Sequence, residues 1–497
     1  MPLRLARAAE NRLTDDPFRL GLASGFPTAG SVVLWTRLAP RPLDPDAGMP
    51  PRDFTVGWEI ALDERMAKVV ARGSVRAAAA WSHSVHVEAR GLQPARDYWY
   101  RFTAAGHQSP IGRTRTLPAA AAVAGKLDFA VVCCQNYEHG HYAGYGHIVG
   151  DAPDLVLHLG DYIYEYGVNE RAIRRHNSPE IRTLSDYRAR YALYHGDPQL
   201  QAAHAIAPWL LTWDDHEVEN DYAGVNSNDD EEDPAAFIAR RTAAYRAYFE
   251  NLPLPPSAAP RGTAVGLHAR RQWGSLANFH VLDQRQYRSP KACMKDYPAE
   301  EPPALLNCEA MYASDRTMLG LAQERWLDRN LAASSTDWNI LVQGTMVSTV
   351  DEQPGSARRY SNDNWGTYRA ARDRLVASLE ASRARNPVVL TGDVHAFVVG
   401  QVTQDAEDPS SAAIAPEFVA TSLTSNSRPQ RLMQQWLRDN ANLRYAAGET
   451  RGYLKCALSA QALSVELMAI DEVKDPQSGR HLLKRYTVEA GSPAILA

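Results

Sequence analysis

Hydrophobic and polar positions change their rhythm near residue 126. Before it, short runs rich in Val, Trp and Tyr alternate in part with polar positions, as in SVVLWTRL, FTVGWEIAL, SVHVEARGL and DYWYRFTA, and Pro and Gly gather between the runs. Runs of this length with period-2 patterning predict strands, and strands at this spacing predict a small β-sandwich over residues 17–117. Residues 1–16 read as a tail, and Ala-rich 118–126 as a linker. Beyond Lys126, apolar runs of strand length alternate with longer stretches of helical character: SDYRARYALYHGDPQLQAAHAI (185–206), PAAFIARRTAAYRAYFENL (234–252) and TYRAARDRLVASLEAS (367–382). That alternation predicts an α/β domain over 127–497. KCALSA, ALSVELMAI and LKRYTVEA, within 451–490, return to strand character and are expected to finish a sheet. NSNDDEEDP (226–234) reads as a solvated acidic loop.

Four of the apolar runs end in the same kind of residue. LDFAVVC leads to Cys134-Gln135-Asn136, PDLVLHLG to Asp161-Tyr162-Ile163-Tyr164, APWLLTW to Asp214-Asp215-His216-Glu217, and NPVVLTG to Asp393-Val394-His395. Loops at strand C-termini build the sites of α/β sheets, so four such endings can converge. Asp161 can bridge two cations through its two oxygens, or cap a turn. Tyr164 can reach the same ion as a phenolate, which suits a hard trivalent metal, or serve as an aromatic wall. Cys134 can act as a thiolate or as a small buried hydrophobe, and Cys133 points to the other face. Asp393 and His395 lie on one side of an extended segment and can bind adjacent ions; a hydrogen-bonded core histidine is the other reading of His395. Asp215 can take a metal while His216 faces the substrate and protonates a leaving alkoxide, with Asp214 as the structural alternative to Asp215.

Composition narrows the classes. A chain of 497 residues is too long for one ordinary domain, and 45% apolar residues suffice for a large core. A net charge of −5 leaves no basic footprint for nucleic acid. No stretch is apolar for long enough to span a bilayer, and the first residues lack an apolar signal core. Five cysteines exclude a disulfide scaffold, although Cys293 and Cys308 bracket one polar insert that a disulfide would staple in an oxidising compartment. The stripe Leu432, Trp436 and Leu437 lies on a C-terminal helix that is either core or a gate.

At these residues the chain resembles the alkaline phosphatase D (PhoD-type) family of the calcineurin-like metallophosphoesterase superfamily. The resemblance runs through PFRLGLASGFPTAGSVVLWTRLAP (17–40), CQNYEHGHYAGYGHI (134–148), DLVLHLGDYIYEYG (154–167), PWLLTWDDHEVENDYA (208–223), FHVLDQRQYRS (279–289), TMLGLAQERWL (317–327), WNILVQG (338–344) and NPVVLTGDVHA (386–396). It implies a four-layer αββα catalytic domain behind the N-terminal β domain. It implies a ferric ion held by Cys134, Asp161, Tyr164 and His395, and one or two calcium ions near Asp161, Asp215 and Asp393, with other divalent metals as substitutes. Asn136 and Asn220 are implied as substrate-binding residues, with Gln343 as a further ligand for the second ion or the phosphate. It also implies export as a folded holoprotein, hence a periplasmic or secreted location, in a mature form. Phe26, Gln284 and Ala396 stand where the family usually has Asp, Thr and Ser.

The function expected is metal-dependent hydrolysis of small-molecule or polymer phosphate esters by a monomer, with Asp161 and His216 as catalytic residues. An activated water is the nucleophile and His216 the acid. A phosphodiesterase or phospholipase D acting on lipid or cell-wall diesters shares that chemistry, with Tyr137, Tyr142, Trp365 and Tyr368 either lining its pocket or packing. An inactive surface-binding protein on the same fold and an iron redox protein are the other classes.

Overall fold

Along Asp97–Ala104 every second residue is buried, the signature of a strand with one face on a core. It pairs with Phe54–Ala61 and Gly112–Arg115. Phe54–Ala61 pairs in turn with Val69–Ala77, a strand too exposed and polar to announce itself in the sequence. The opposing layer of this sandwich is made of Leu22–Gly25, Ser31–Arg37 and Ser84–Arg90. Leu22, Val32, Leu34 and Val87 from that layer meet Val56, Ile60, Tyr100 and Phe102 across the core. The layer does not stop there: Leu22–Gly25 also runs parallel to Pro208–Leu211, with Ser24 opposite Pro208. One side of the N-terminal sandwich is therefore the edge of a sheet belonging to the rest of the chain. The computed structural model describes residues 12–229, 232–292, 305–306, 308–352, 358–382 and 384–497.

That larger sheet has ten strands, in the order Ile495–Leu496, Arg480–Glu489, Ala462–Ile470, Arg451–Leu458, Leu127–Val132, Leu155–His158, Pro208–Leu211, Leu22–Gly25, Ser31–Arg37 and Ser84–Arg90. A second sheet of seven runs Ala269–Trp273, Ala277–Val281, Trp338–Val342, Pro387–Thr391, Ala413–Val419, Phe397–Thr403 and Leu443–Ala447. The two lie face to face: Phe129 of one meets Phe279 of the other edge-on, with ring centroids 5.7 Å apart. Ala143–Asp151, Leu184–His195, Pro198–Ile206 and Pro234–Asn251 pack their apolar sides into the core of the first sheet. Leu321–Ala332 and Arg369–Ser382 pack theirs against Leu341, Val389 and Ala415 of the second. The result is four layers, αββα, as the family resemblance implies.

Three local details refine the sequence reading. The stretch 185–206 is two helices, because Asp197 accepts from the N–H groups of Gln199 and Leu200 and Pro198 opens a new first turn. The acidic segment 226–234 is in part structural rather than solvated. Asp233 caps Pro234–Asn251, and Glu232, its side chain only 8% exposed, lies 2.8 Å from Arg182. In the helix Gln430–Asp439, Trp436 is buried with Met433 against Met346, Val350 and Val398, and Leu432 and Leu437 of the apolar stripe pack half-buried against the same cluster. Cys308 is in a disulfide; Cys293, its expected partner, lies outside the described residues. Among the described residues no helix is long and apolar enough to cross a membrane.

Candidate active site

The parallel strands of both sheets end on one side of the molecule, and the loops that leave them meet there. From the first sheet, Leu127–Val132 leads to Cys134, Leu155–His158 to Asp161 and Tyr164, and Pro208–Leu211 to Asp214, Asp215 and His216. From the second, Ala277–Val281 leads to Arg285, Pro387–Thr391 to Asp393 and His395, and Ala413–Val419 to Ser425 and Asn426.

The backbone at this junction is unusual. Cys134, Asp161, Asp393 and His395 all have left-handed φ, at 55°, 57°, 61° and 57°. Each costs roughly 1–2 kcal/mol in a residue with a side chain. Four together mark loops held by their surroundings so that the side chains turn inward. The loops also pass at close range. A Cβ on Gly160, itself at φ 116°, would lie 2.4 Å from Asp214 N, and one on Gly392 would lie 2.7 Å from Cys133 Sγ.

Cys134, Asp161 and His395 bring donor atoms within 4.8 Å of one another. Tyr164 joins them: its hydroxyl donates to Asp161 Oδ2 at 2.7 Å and lies 3.2 Å from His395 Nε2. Asp161 is shared with a second group, Asp161, Asp215 and His216, and Asp215 with a third, Asp214, Asp215 and Asp393. Asp161 Oδ1, Asp214 Oδ2 and Asp215 Oδ1 are buried without a hydrogen-bond partner. Buried carboxylate oxygens are seldom left so, because each costs free energy unless a donor or cation meets it. The donors fit two kinds of ion: a thiol, phenol, imidazole and carboxylate on one side, and carboxylate oxygens alone, as hard cations favour, on the other. A fourth acidic group, Asp215, Asp221 and Asp363, already has its cations. Arg285 and Arg288 bond Asp363 at 2.7 and 2.5 Å, and Lys291 bonds Asp221 at 2.7 Å.

Electrostatics tell the same story. Burial pushes the Cys134 thiol and the Tyr164 phenol well up, and neighbouring Asp161 adds to both. Burial, then Asp363 and Asp215, raise Asp393 to about 8. Burial pulls His395 down, but Cys134 and Asp161 outweigh it and hold the ring at about 9. Acids that hold their protons this firmly are what a cation displaces on binding. Asp215, by contrast, is kept well below the carboxylate range, since Arg285 and His216 overcome its burial.

A second layer holds these groups. Buried Glu217 accepts from three backbone N–H groups, those of Tyr162 at 2.7 Å, Asp214 at 2.9 Å and Asp161 at 3.2 Å, and so ties two site loops together. Glu165 accepts from His216 Nδ1 at 2.7 Å, which turns Nε2 inward; it also lifts His216 well above its ordinary pKa, against the pull of burial. Asn426 O accepts from His395 Nδ1 at 2.9 Å. Ser425 Oγ lies 2.7 Å from the Tyr164 hydroxyl and 2.8 Å from Cys134 O.

The remaining residues singled out from the sequence make the following contacts. Asp214 bonds the buried Arg285 guanidinium, and Gln284 reaches the same carboxylate. The Asn136 side chain caps a short turn by accepting from Glu138 N. Asn220 Oδ1 accepts from the Tyr166 hydroxyl. Gln343 Oε1 takes Trp365 Nε1, leaving its buried Nε2 without a partner. Tyr142, Trp365 and Tyr368 are fully buried and pack, while Tyr137 lies under Arg174. Sequence reasoning missed Glu165, Arg285, Ser425 and Asn426, and took Glu217 for one more ligand-type residue. The strand-end rule would have found Ser425 and Asn426 had Ala413–Val419 been read as a parallel strand.

The sequence profile of the PhoD-like phosphatase family matches residues 129–467, and that of the PhoD-like phosphatase N-terminal domain matches residues 4–118. The chain is 43% identical over 468 residues to alkaline phosphatase D of Bacillus subtilis (strain 168), covering 93% of this chain and 79% of that protein. A solved structure of PhoD superposes with a TM-score of 0.91 at 39% identity, over 98% of this chain and 94% of that one.

Proposed function

The chain belongs to the PhoD-like phosphatase family and is a phosphoester hydrolase, and from that premise we propose how its residues divide the work. Cys134, Asp161, Tyr164 and His395 hold a ferric ion. Asp161, Asp215 and Asp393 hold one or two calcium ions, and Asp161 belongs to both sets. The observation that carries this is the pair of buried oxygens without a hydrogen bond, Asp161 Oδ1 and Asp215 Oδ1, beside a thiol and a phenol. The chemistry such ions supply is neutralisation of phosphate charge and acidification of water.

The chain's own groups do the rest. Glu165 accepts the Nδ1 proton and its charge, against burial, stabilises the imidazolium, so that His216 also carries a proton on Nε2, which it delivers to the departing alcohol oxygen. Arg285 sits behind Asp214, Asp215 and Asp363 and keeps their combined charge from driving the loops apart. Substrates are small-molecule phosphate esters. Among them we assign the chain monoesters first and diesters second, action as a monomer, and a periplasmic or secreted setting.

Two variants test the roles. Asp161→Asn removes the shared carboxylate, and turnover and bound metal fall together; full turnover with full metal content would refute the assignment. His216→Ala slows esters of poorly acidic alcohols far more than those of acidic ones, whereas equal loss across leaving groups would remove the acid role.

A further inference from the structure

Large apolar side chains on a surface are ordinary when single and loosely held. Tyr166 is exposed but not loose. It is 45% exposed, and both its ends are fixed. Its carbonyl accepts from buried Arg190 and from His176 Nδ1, each at 2.9 Å. Its hydroxyl donates to Asn220 Oδ1 at 3.0 Å, and Asn220 N donates to Glu165, the residue that orients His216.

The loop after Tyr166 is stitched down in the same way. Buried Glu138 accepts from Asn169 N at 2.9 Å and His176 N at 3.0 Å, and its carbonyl accepts from Ile173 N. Yet that loop shows Val168 and Ile173 to solvent, 40% and 36% exposed. The Tyr166 ring stands against the His216 ring with centroids 5.2 Å apart and planes at 66°. An exposed, pre-organised aromatic face thus stands directly beside the imidazole assigned to protonate the leaving oxygen.

We infer that Tyr166 is a specificity-determining residue: its exposed face forms the leaving-group subsite and selects phosphate esters whose alcohol presents a flat apolar face directly beside the ester oxygen. This rests on the phosphoesterase reading and on His216 as the acid. Because the ring is held before substrate arrives, stacking costs little ordering, so the contact favours binding. The hydroxyl serves to hold the ring and makes no contact with the ester.

The test compares phenyl phosphate with a fluorinated alkyl phosphate of matched leaving-group acidity, using the metal-loaded full chain. In Tyr166→Ala the ratio of kcat/KM for the aryl to the alkyl ester falls about tenfold, the scale of one lost aromatic contact. Tyr166→Phe keeps most of that ratio. Matched acidity means that damage to His216 would lower both esters together and leave the ratio unchanged. Inhibition by phenylphosphonate against methylphosphonate gives the same comparison without turnover, and Tyr166→Ala weakens the first selectively. An unchanged ratio in Tyr166→Ala, or an equal fall in Tyr166→Phe, overturns the inference. Wild-type protein that turned over neither ester would instead strike at the phosphoesterase reading itself.

Discussion

Glu217→Gln keeps the volume of the side chain and removes one acceptor. In the native protein one carboxylate oxygen receives Asp161 N and Asp214 N and the other receives Tyr162 N. However the amide is turned, at least one of these buried N–H groups then faces an NH2 donor, and the remaining bonds lose their charge assistance. A buried donor left unmet costs about 1–3 kcal/mol. The other bonds weaken towards the strength of neutral ones. Some of this is returned, because burial and then Asp161 already strain the carboxylate charge. A net loss of about 2 kcal/mol, falling on the loops that carry Asp161 and Asp215, is the working figure. The effect should therefore exceed a simple stability change: apparent metal affinity and kcat/KM drop about 10–100-fold, as when other outer partners of metal ligands are removed. A chelator titration followed by residual activity reads the first, and steady-state kinetics with excess metal the second. A variant with native metal retention and native kcat/KM would refute the idea that Glu217 sets the spacing of the two loops.

Gly392→Ala puts a methyl group 2.7 Å from Cys133 Sγ and 2.9 Å from its Cβ, so the strand end carrying Asp393 must shift; a loss of about 1–3 kcal/mol is expected, read as a lower unfolding midpoint. Stability should also fall in mild acid, because burial holds His86 and His280 neutral, with pKa values near 4. A folded pKa below the unfolded one means that stability is complete above about pH 6.5 and is lost as pH falls towards 4, by roughly 1.4 kcal/mol per pH unit for each such ring. Denaturant titrations at pH 7.5 and 5 check this, and equal stabilities at the two would contradict it.

Much of this was legible in the sequence because the site lies where strands end. An apolar run that stops at Cys134, Asp161, Asp215 or Asp393 declares both the strand and the residue that leaves it. The partners of those residues were not legible. Glu217 looks like a further acidic ligand in DDHE and Glu165 carries no signal in IYEY, and only the fold shows that one receives backbone N–H groups and the other an imidazole. Arg285 comes from the second sheet, some 70 residues from the aspartates it neutralises, and no local pattern links them. Val69–Ala77 escaped because its burial is too slight to impose alternation. The joining of the N-terminal layer to the larger sheet was equally hidden, since strand pairing leaves no mark on either partner alone.

That joining has a bearing on how the chain comes into being. Leu22–Gly25 finds its parallel neighbour in Pro208–Leu211. On a ribosome working at 5–20 residues per second, the neighbour emerges roughly 10–40 s later. Until then one edge of the early strands has no ladder to join, and the first layer of the sandwich must wait, half built, for the middle of the polypeptide to arrive.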